Sequence, residues 1–117
     1  MIFLDTDFLV FSIKNNIDFS KQIKEESPKE ELAIVDKTLD ELTKLNSLES
    51  KIALSLIKIK KFKIIKTKKD KIADDLIIDN LKIGDIVATQ DKELKKRVIE
   101  KGNKVITIRQ KRYIKFD

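Results

Sequence analysis

Five short apolar runs, each followed by a stretch of helical period, constrain this chain more than any other feature. The runs occupy 2–5, 32–35, 63–66, 85–88 and 105–108. Ile2-Phe3-Leu4 and Leu32-Ala33-Ile34-Val35 are apolar without alternation, as expected of strands buried on both faces. The segments between them read as helices. One bears Phe8, Leu9, Phe11 and Ser12, capped by Thr6 or Asp7 and stopped at Asn15-Asn16. Others cover 18–27, 37–45 (with Leu39, Leu42 and Leu45 inward and Asp36 as cap) and 48–60 (with Ile52, Ala53, Leu56 and Ile59 on one side). The last two span 71–81 and 92–101, the latter stopped by Gly102. Strands alternating with helices predict an α/β fold: a mainly parallel sheet, helices on both faces and right-handed crossovers. Residues 1–117 fit one domain. The tail, RQKRYIKFD, reads as a basic surface segment.

The chain has no Cys and no His. This excludes thiol catalysis, Ser-His-Asp chemistry and Cys/His zinc sites. Carboxylates remain as the acid/base or metal-binding groups, and they favour hard cations such as Mg²⁺ or Mn²⁺. The 26 basic residues outnumber 20 acidic ones, leaving a net charge of +6 that suits a polyanionic partner. The opening MIFLDTDFLVF carries Asp5 and Asp7 and lacks a basic leader, so neither a signal peptide nor a membrane span is expected. Together with the missing cysteines this points to the cytoplasm.

Helical geometry sorts the acids. In the 71–81 helix, Asp74 falls within the apolar arc of Ala73, Leu76, Ile77, Ile78 and Leu81, whereas Asp75 and Asp79 fall opposite. An acid in a core-facing arc is costly unless something pairs with it, so Asp74 is the candidate; the alternative is a first-turn acid that complements the helix dipole. By the same test Glu41 borders its helix's apolar stripe and Asp40 points away. Asp5 and Asp91 follow strands, where open α/β sheets place their ligands, and each also suits a helix N-cap. Asp5, Glu41, Asp74 and Asp91 are thus distributed as a carboxylate cluster at one sheet edge requires. Such a cluster ionises cheaply only around a cation, which can activate water against a phosphodiester.

These residues resemble the PIN-domain ribonucleases over the whole chain. MIFLDTDFLV is similar to the family's strand-one motif, IVDKTLDELTKL to its second, ADDLIID to its third and DIVATQDKELKKRVIEKGNKVITIR to its fourth. The fourth is closest to archaeal and ribosome-processing PIN proteins. The resemblance implies a three-layer α/β sandwich around a central parallel five-stranded sheet and Mg²⁺- or Mn²⁺-dependent endonuclease activity on RNA. Carried over by position, it makes Asp5, Glu41, Asp74 (or its neighbour Asp75) and Asp91 the acidic set, with Asp5, Asp74 and Asp91 as metal ligands. Thr89 matches the hydroxyl residue before the fourth-motif acid, where it would orient metal-bound water. Asp7 stands where the family has Asn and adds negative charge beside the site.

Lysines are dense between 58 and 71, and Lys68, Lys69, Lys95 and Lys96 are the expected RNA contacts at the rim of the acids; most other basic residues read as a solvated face. The expected partner is single-stranded or loop RNA, with specificity drawn from the PIN surface or a second protein; a homodimer is also among the expected assemblies. Two functional alternatives share the fold: the toxin ribonuclease of a toxin–antitoxin pair, and a catalytically weak RNA-binding or scaffold subunit. A third departs from it. Asp5-Thr6-Asp7 after an apolar strand also resembles the opening of haloacid-dehalogenase-type phosphatases, although their further Lys and Ser/Thr motifs find no convincing match here.

Overall fold

The computed structural model describes residues 1–117. Its sheet has six strands: β1 (Ile2–Leu4), β2 (Leu32–Val35), β3 (Lys63–Ile65), β4 (Ile86–Ala88), β5 (Lys104–Arg109) and β6 (Tyr113–Phe116). The helices are α1 (Thr6–Lys14), α2 (Phe19–Glu26), α3 (Asp36–Leu45), α4 (Leu48–Ile59), α5 (Ala73–Asn80) and α6 (Lys92–Glu100). The spatial order is β3-β2-β1-β4-β5-β6. The five expected strands pair in parallel, with Phe3 opposite Ala33 on one side and Val87 on the other.

The sixth strand corrects the reading of the tail. Residues 113–116 run antiparallel to β5, with Ile108 opposite Ile114 and Ile106 opposite Phe116. Ile114 and Phe116 pack on the core while Tyr113 and Lys115 face out. Gln22 of α2 fixes this edge by accepting from the Ile114 N–H at 2.9 Å.

Side chains alternate across the sheet as the pleat demands. Ile2, Leu4, Ile34, Ala88 and Ile106 belong to the larger core, packed against α1–α4. Phe3, Ala33, Val35, Val87 and Val105 belong to the smaller one, packed against α5 and α6. Strands apolar on both faces are therefore covered on both faces. Within the larger core Phe8 meets Phe19 edge to face at 5.7 Å.

Two helices depart in part from the sequence expectation, although Leu39, Leu42, Ala53 and Leu56 pack on the core as read. α4 buries Ser50, Ala53 and Ile57, while Ile52 and Ile59 lie on the exposed side. In α3, Thr38 and Leu42 are buried and Leu45 is exposed. The sequence of α4 is apolar around most of its circumference, so periodicity alone does not choose its inward face. The helix stops behave as read: Asn16 and Asn46 adopt left-handed φ values of 55° and 50°, and Gly102 follows α6 at φ 93°. No helix is long and apolar enough to cross a membrane.

Candidate active site

The strand order places a topological switch between β1 and β4. From β1 the chain moves outward to β2 and β3; from β4 it moves the opposite way to β5. Crevices at the C-terminal ends of such neighbouring strands are where open α/β sheets bind ligands. Asp5 ends β1, and Thr89-Gln90-Asp91 follows β4.

Asp5 is 3 % exposed. It, rather than Thr6 or Asp7, is the N-cap of α1, accepting from the Phe8 N–H at 2.7 Å. Its other oxygen accepts from the Thr89 hydroxyl. Burial pushes the Asp5 carboxyl up to about 7, with Asp7 and Asp74 adding to the rise and the two hydrogen bonds opposing it. Asp74 lies in the first turn of α5, a helix with no side-chain N-cap. Its carboxyl is also raised, first by burial and then by Asp91, Glu41 and Asp7. The charges of Asp7 and Asp74 thus reach Asp5, and those of Asp91, Glu41 and Asp7 reach Asp74.

A cavity of about 250 Å³ is lined by Asp5, Thr6, Asp7, Glu41, Ile72 and Asp74. Four of those six residues are acids and none is basic. A larger cavity of about 700 Å³ lies by Leu32 and Phe62, at the start of β2 and before β3, where lysines and acids mix. It is at the opposite end of the strands from Asp5, whereas the smaller, acid-rich cavity lies at the switch point.

Asp91 does not line that cavity. Its Oδ1 caps α6, accepting from Glu93 and Leu94 N–H groups at 2.8 and 3.1 Å. Glu41 accepts from the Thr6 hydroxyl at 2.5 Å. Asp5, Glu41 and Asp91 are each engaged by a nearby protein donor, and no three of the carboxylates stand in an arrangement that would hold a metal ion as they are. Asp5, Asp7, Glu41 and Asp74 share one cavity, and Asp91 acts on Asp74 from its margin.

The neighbours divide as follows. Asp75 is outside the cavity and pairs with Arg97 of α6 at 2.8 Å. Thr89 is fully buried and its hydroxyl proton goes to Asp5, so it holds that carboxylate instead of facing solvent. Asp36 is not the cap of α3; its oxygens accept from the Thr67 N–H at 2.8 Å and hydroxyl at 2.6 Å. Asp40 pairs with Lys69 at 2.9 Å. Together these contacts pin the 66–72 loop to α3 beside Glu41. Of the four expected RNA contacts, Lys69 is tied to Asp40 and Lys95 to Asp117, while Lys68 and Lys96 are exposed and outside any ion pair. Sequence reasoning missed Thr6, Arg97 and the Asp36–Thr67 clip. The hydroxyl between two acids in Asp5-Thr6-Asp7 was the one local signal; the other two contacts bridge distant segments.

A family model described as a PIN like domain matches residues 2–111. The chain belongs to that PIN-like family. Ribonuclease VapC4 of Methanocaldococcus jannaschii is 34% identical to it over 122 residues, covering 96% of this chain and 92% of that protein. The solved structure of the PIN domain endonuclease Utp24 superposes with a TM-score of 0.86 at 28% identity, covering 99% of this chain and 90% of the other. The PIN-like match ends before β6, whose pairing with β5 is described above.

Proposed function

We propose that this PIN-like chain is a divalent-metal-dependent endoribonuclease that cuts single-stranded or loop RNA, in ribosomal or other RNA processing. The observation that carries the reading is the acid-rich cavity at the switch point, four carboxylate residues without one basic residue among its lining. Its oxygen-only donor set fits a hard cation such as Mg²⁺ or Mn²⁺. Asp5 and Asp74 from the cavity, together with Asp91 from outside its lining, are the residues that would hold the ion, and Glu41 lines the same cavity. When bound, such an ion supplies an activated water and charge stabilisation at the phosphodiester.

The chain's own groups do the rest. Thr89 and the Phe8 N–H fix the Asp5 carboxylate by two hydrogen bonds. Thr6 orients Glu41. The 66–72 loop, held by Asp36, carries Lys68 to the same edge, where it can meet the phosphate backbone. The family relation supports nuclease chemistry, since the two relatives are a ribonuclease and an endonuclease by name.

The test is cleavage of a labelled single-stranded RNA with Mg²⁺, with Mn²⁺ and with EDTA. Wild type should cut with either ion and not with EDTA, and Asp5→Asn and Asp74→Asn should be inactive while folded. Equal cutting by both variants would show that the acids are not the catalytic set. Release of inorganic phosphate from a phosphomonoester, with RNA left intact, would favour the phosphatase alternative.

A further inference from the structure

The acid cavity continues into a second hollow of about 530 Å³, with Thr6, Asp7 and Glu41 lining both. The remaining walls of the second hollow are Lys44 and Leu45. These lie one turn beyond Glu41 on α3, a rise of about 4.5 Å for three residues. Lys44 is the one cation lining either hollow. Unlike Lys69, Lys71 and Lys95, it takes part in no ion pair. Leu45 is 55 % exposed, although its helix periodicity predicts an inward residue.

Acid, cation and apolar surface therefore follow one another over a single helical turn. A polyanion whose units also carry flat apolar faces matches that order. The acids Asp7 and Glu41 lie at the end shared with the acid cavity, and Glu41 is already held by Thr6. The other end presents an unpaired ammonium to a phosphate and a leucine side chain to a base.

We infer that this hollow seats the nucleotide flanking the cleaved bond, with the Lys44 Nζ on its phosphate and Leu45 against its base. The inference rests on the ribonuclease reading above and deepens it. The ligand must be single-stranded, because a base paired in a duplex keeps its faces stacked and offers none to Leu45. Continuity with the acid cavity and the unpaired cation favour RNA over a protein segment.

The experiment compares wild type with Lys44→Ala, Lys44→Arg, Leu45→Ala and, as a control, Lys104→Ala at the far end of β5. Cleavage of a fluorescein-labelled single-stranded RNA gives KM and kcat, and anisotropy against salt gives the binding slope. Lys44→Ala should raise KM severalfold with little change in kcat. Its log–log salt slope should fall by about 0.7, the value for one lost phosphate contact on a single strand. Lys44→Arg should restore both. Leu45→Ala should raise KM without altering the slope, and Lys104→Ala should match wild type. Unchanged KM and slope in Lys44→Ala overturn the inference and leave the ribonuclease reading standing. That reading is tested separately, by whether wild type cuts RNA with metal present and not with EDTA. A change in sedimentation mass in Leu45→Ala, with RNA binding intact in both variants, assigns the hollow to a protein interface and likewise overturns the inference.

Discussion

The Thr89 hydroxyl donates to the Asp5 carboxylate and accepts from the Asp91 N–H at 3.0 Å, so one buried side chain joins the ends of the two central strands. Thr89→Val keeps the shape and removes the donor, leaving a buried carboxylate oxygen without a partner. We expect a loss of about 1–3 kcal/mol at pH 8, as for a buried polar group left unsatisfied. Thr89→Ser should recover most of it. Urea denaturation of the three proteins provides the comparison.

The raised Asp5 carboxyl fixes the sign of a pH effect in the metal-free protein. Its folded value, about 7, lies above the ordinary 3.8, so the folded state favours the proton. The associated stability is complete below 3.8 and is lost as pH rises through 7. Between pH 4.5 and 7.5 this amounts to about 3 kcal/mol, at 1.36 kcal/mol per unit. Asp74 is raised in the same direction and adds to the fall. Denaturation in EDTA across this range should show wild type weakening and Asp5→Asn much less so. Mg²⁺ added at pH 7.5 should restore stability to wild type by mass action.

Asp74 and Asp75 should separate cleanly. Asp74→Asn removes a carboxylate from the acid cavity, and activity should fall at least about 100-fold, beyond the range typical of an outer partner. The metal-free protein should melt slightly higher, because repulsion is relieved. Asp75→Asn loses only the half-exposed pair with Arg97, worth about 0–1 kcal/mol. Its activity should stay close to wild type. Comparable loss in both variants would contradict the assignment.

Asp91 has two duties that one pair of substitutions can divide. Asn caps a helix as well as Asp does, so Asp91→Asn should melt like wild type, whereas Asp91→Ala should lose about 1 kcal/mol. Cleavage should drop in both. An Asn variant with full activity would reduce Asp91 to a cap.

Removing β6 by ending the chain at Arg112 should expose the β5 edge and the apolar surface beneath Ile114 and Phe116. We expect a loss of at least about 2 kcal/mol from their burial, with aggregation through the bared edge strand. Light scattering and thermal melts would register both. A truncated chain as soluble and stable as wild type would show the strand to be dispensable.

The legible parts of this fold were those written in local pattern. Unbroken apolar runs marked the buried strands, Asn and Gly marked the helix ends, and the position of Asp74 in its apolar arc anticipated the cavity it lines. The outward face of α4 is hidden from the sequence because apolar residues run around most of that helix and only tertiary packing selects among them, whereas Leu45 continues the single stripe of α3 but is the helix's last residue and stays exposed. The tail shows a different failure. Tyr113-Ile114-Lys115-Phe116 alternates as an edge strand should, but a dense run of charges masked the period. The joint engagement of Thr89 with Asp5 could not be read locally, since it closes across most of the chain.

The central pairing of β1 with β4 also governs the order of assembly. β1 emerges first during synthesis, but its register partner on one side, Ile86–Ala88, is translated only after most of the chain. Until then Ile2, Phe3 and Leu4 have a bare edge and Asp5 lacks its threonine. Closing so long a loop is slow and leaves apolar surface exposed meanwhile. The Asp5–Thr89 contact can form only once β4 has been made, and on the ribonuclease reading proposed above a ribosome-bound partial chain that stops short of β4 should be unable to cut the RNA around it.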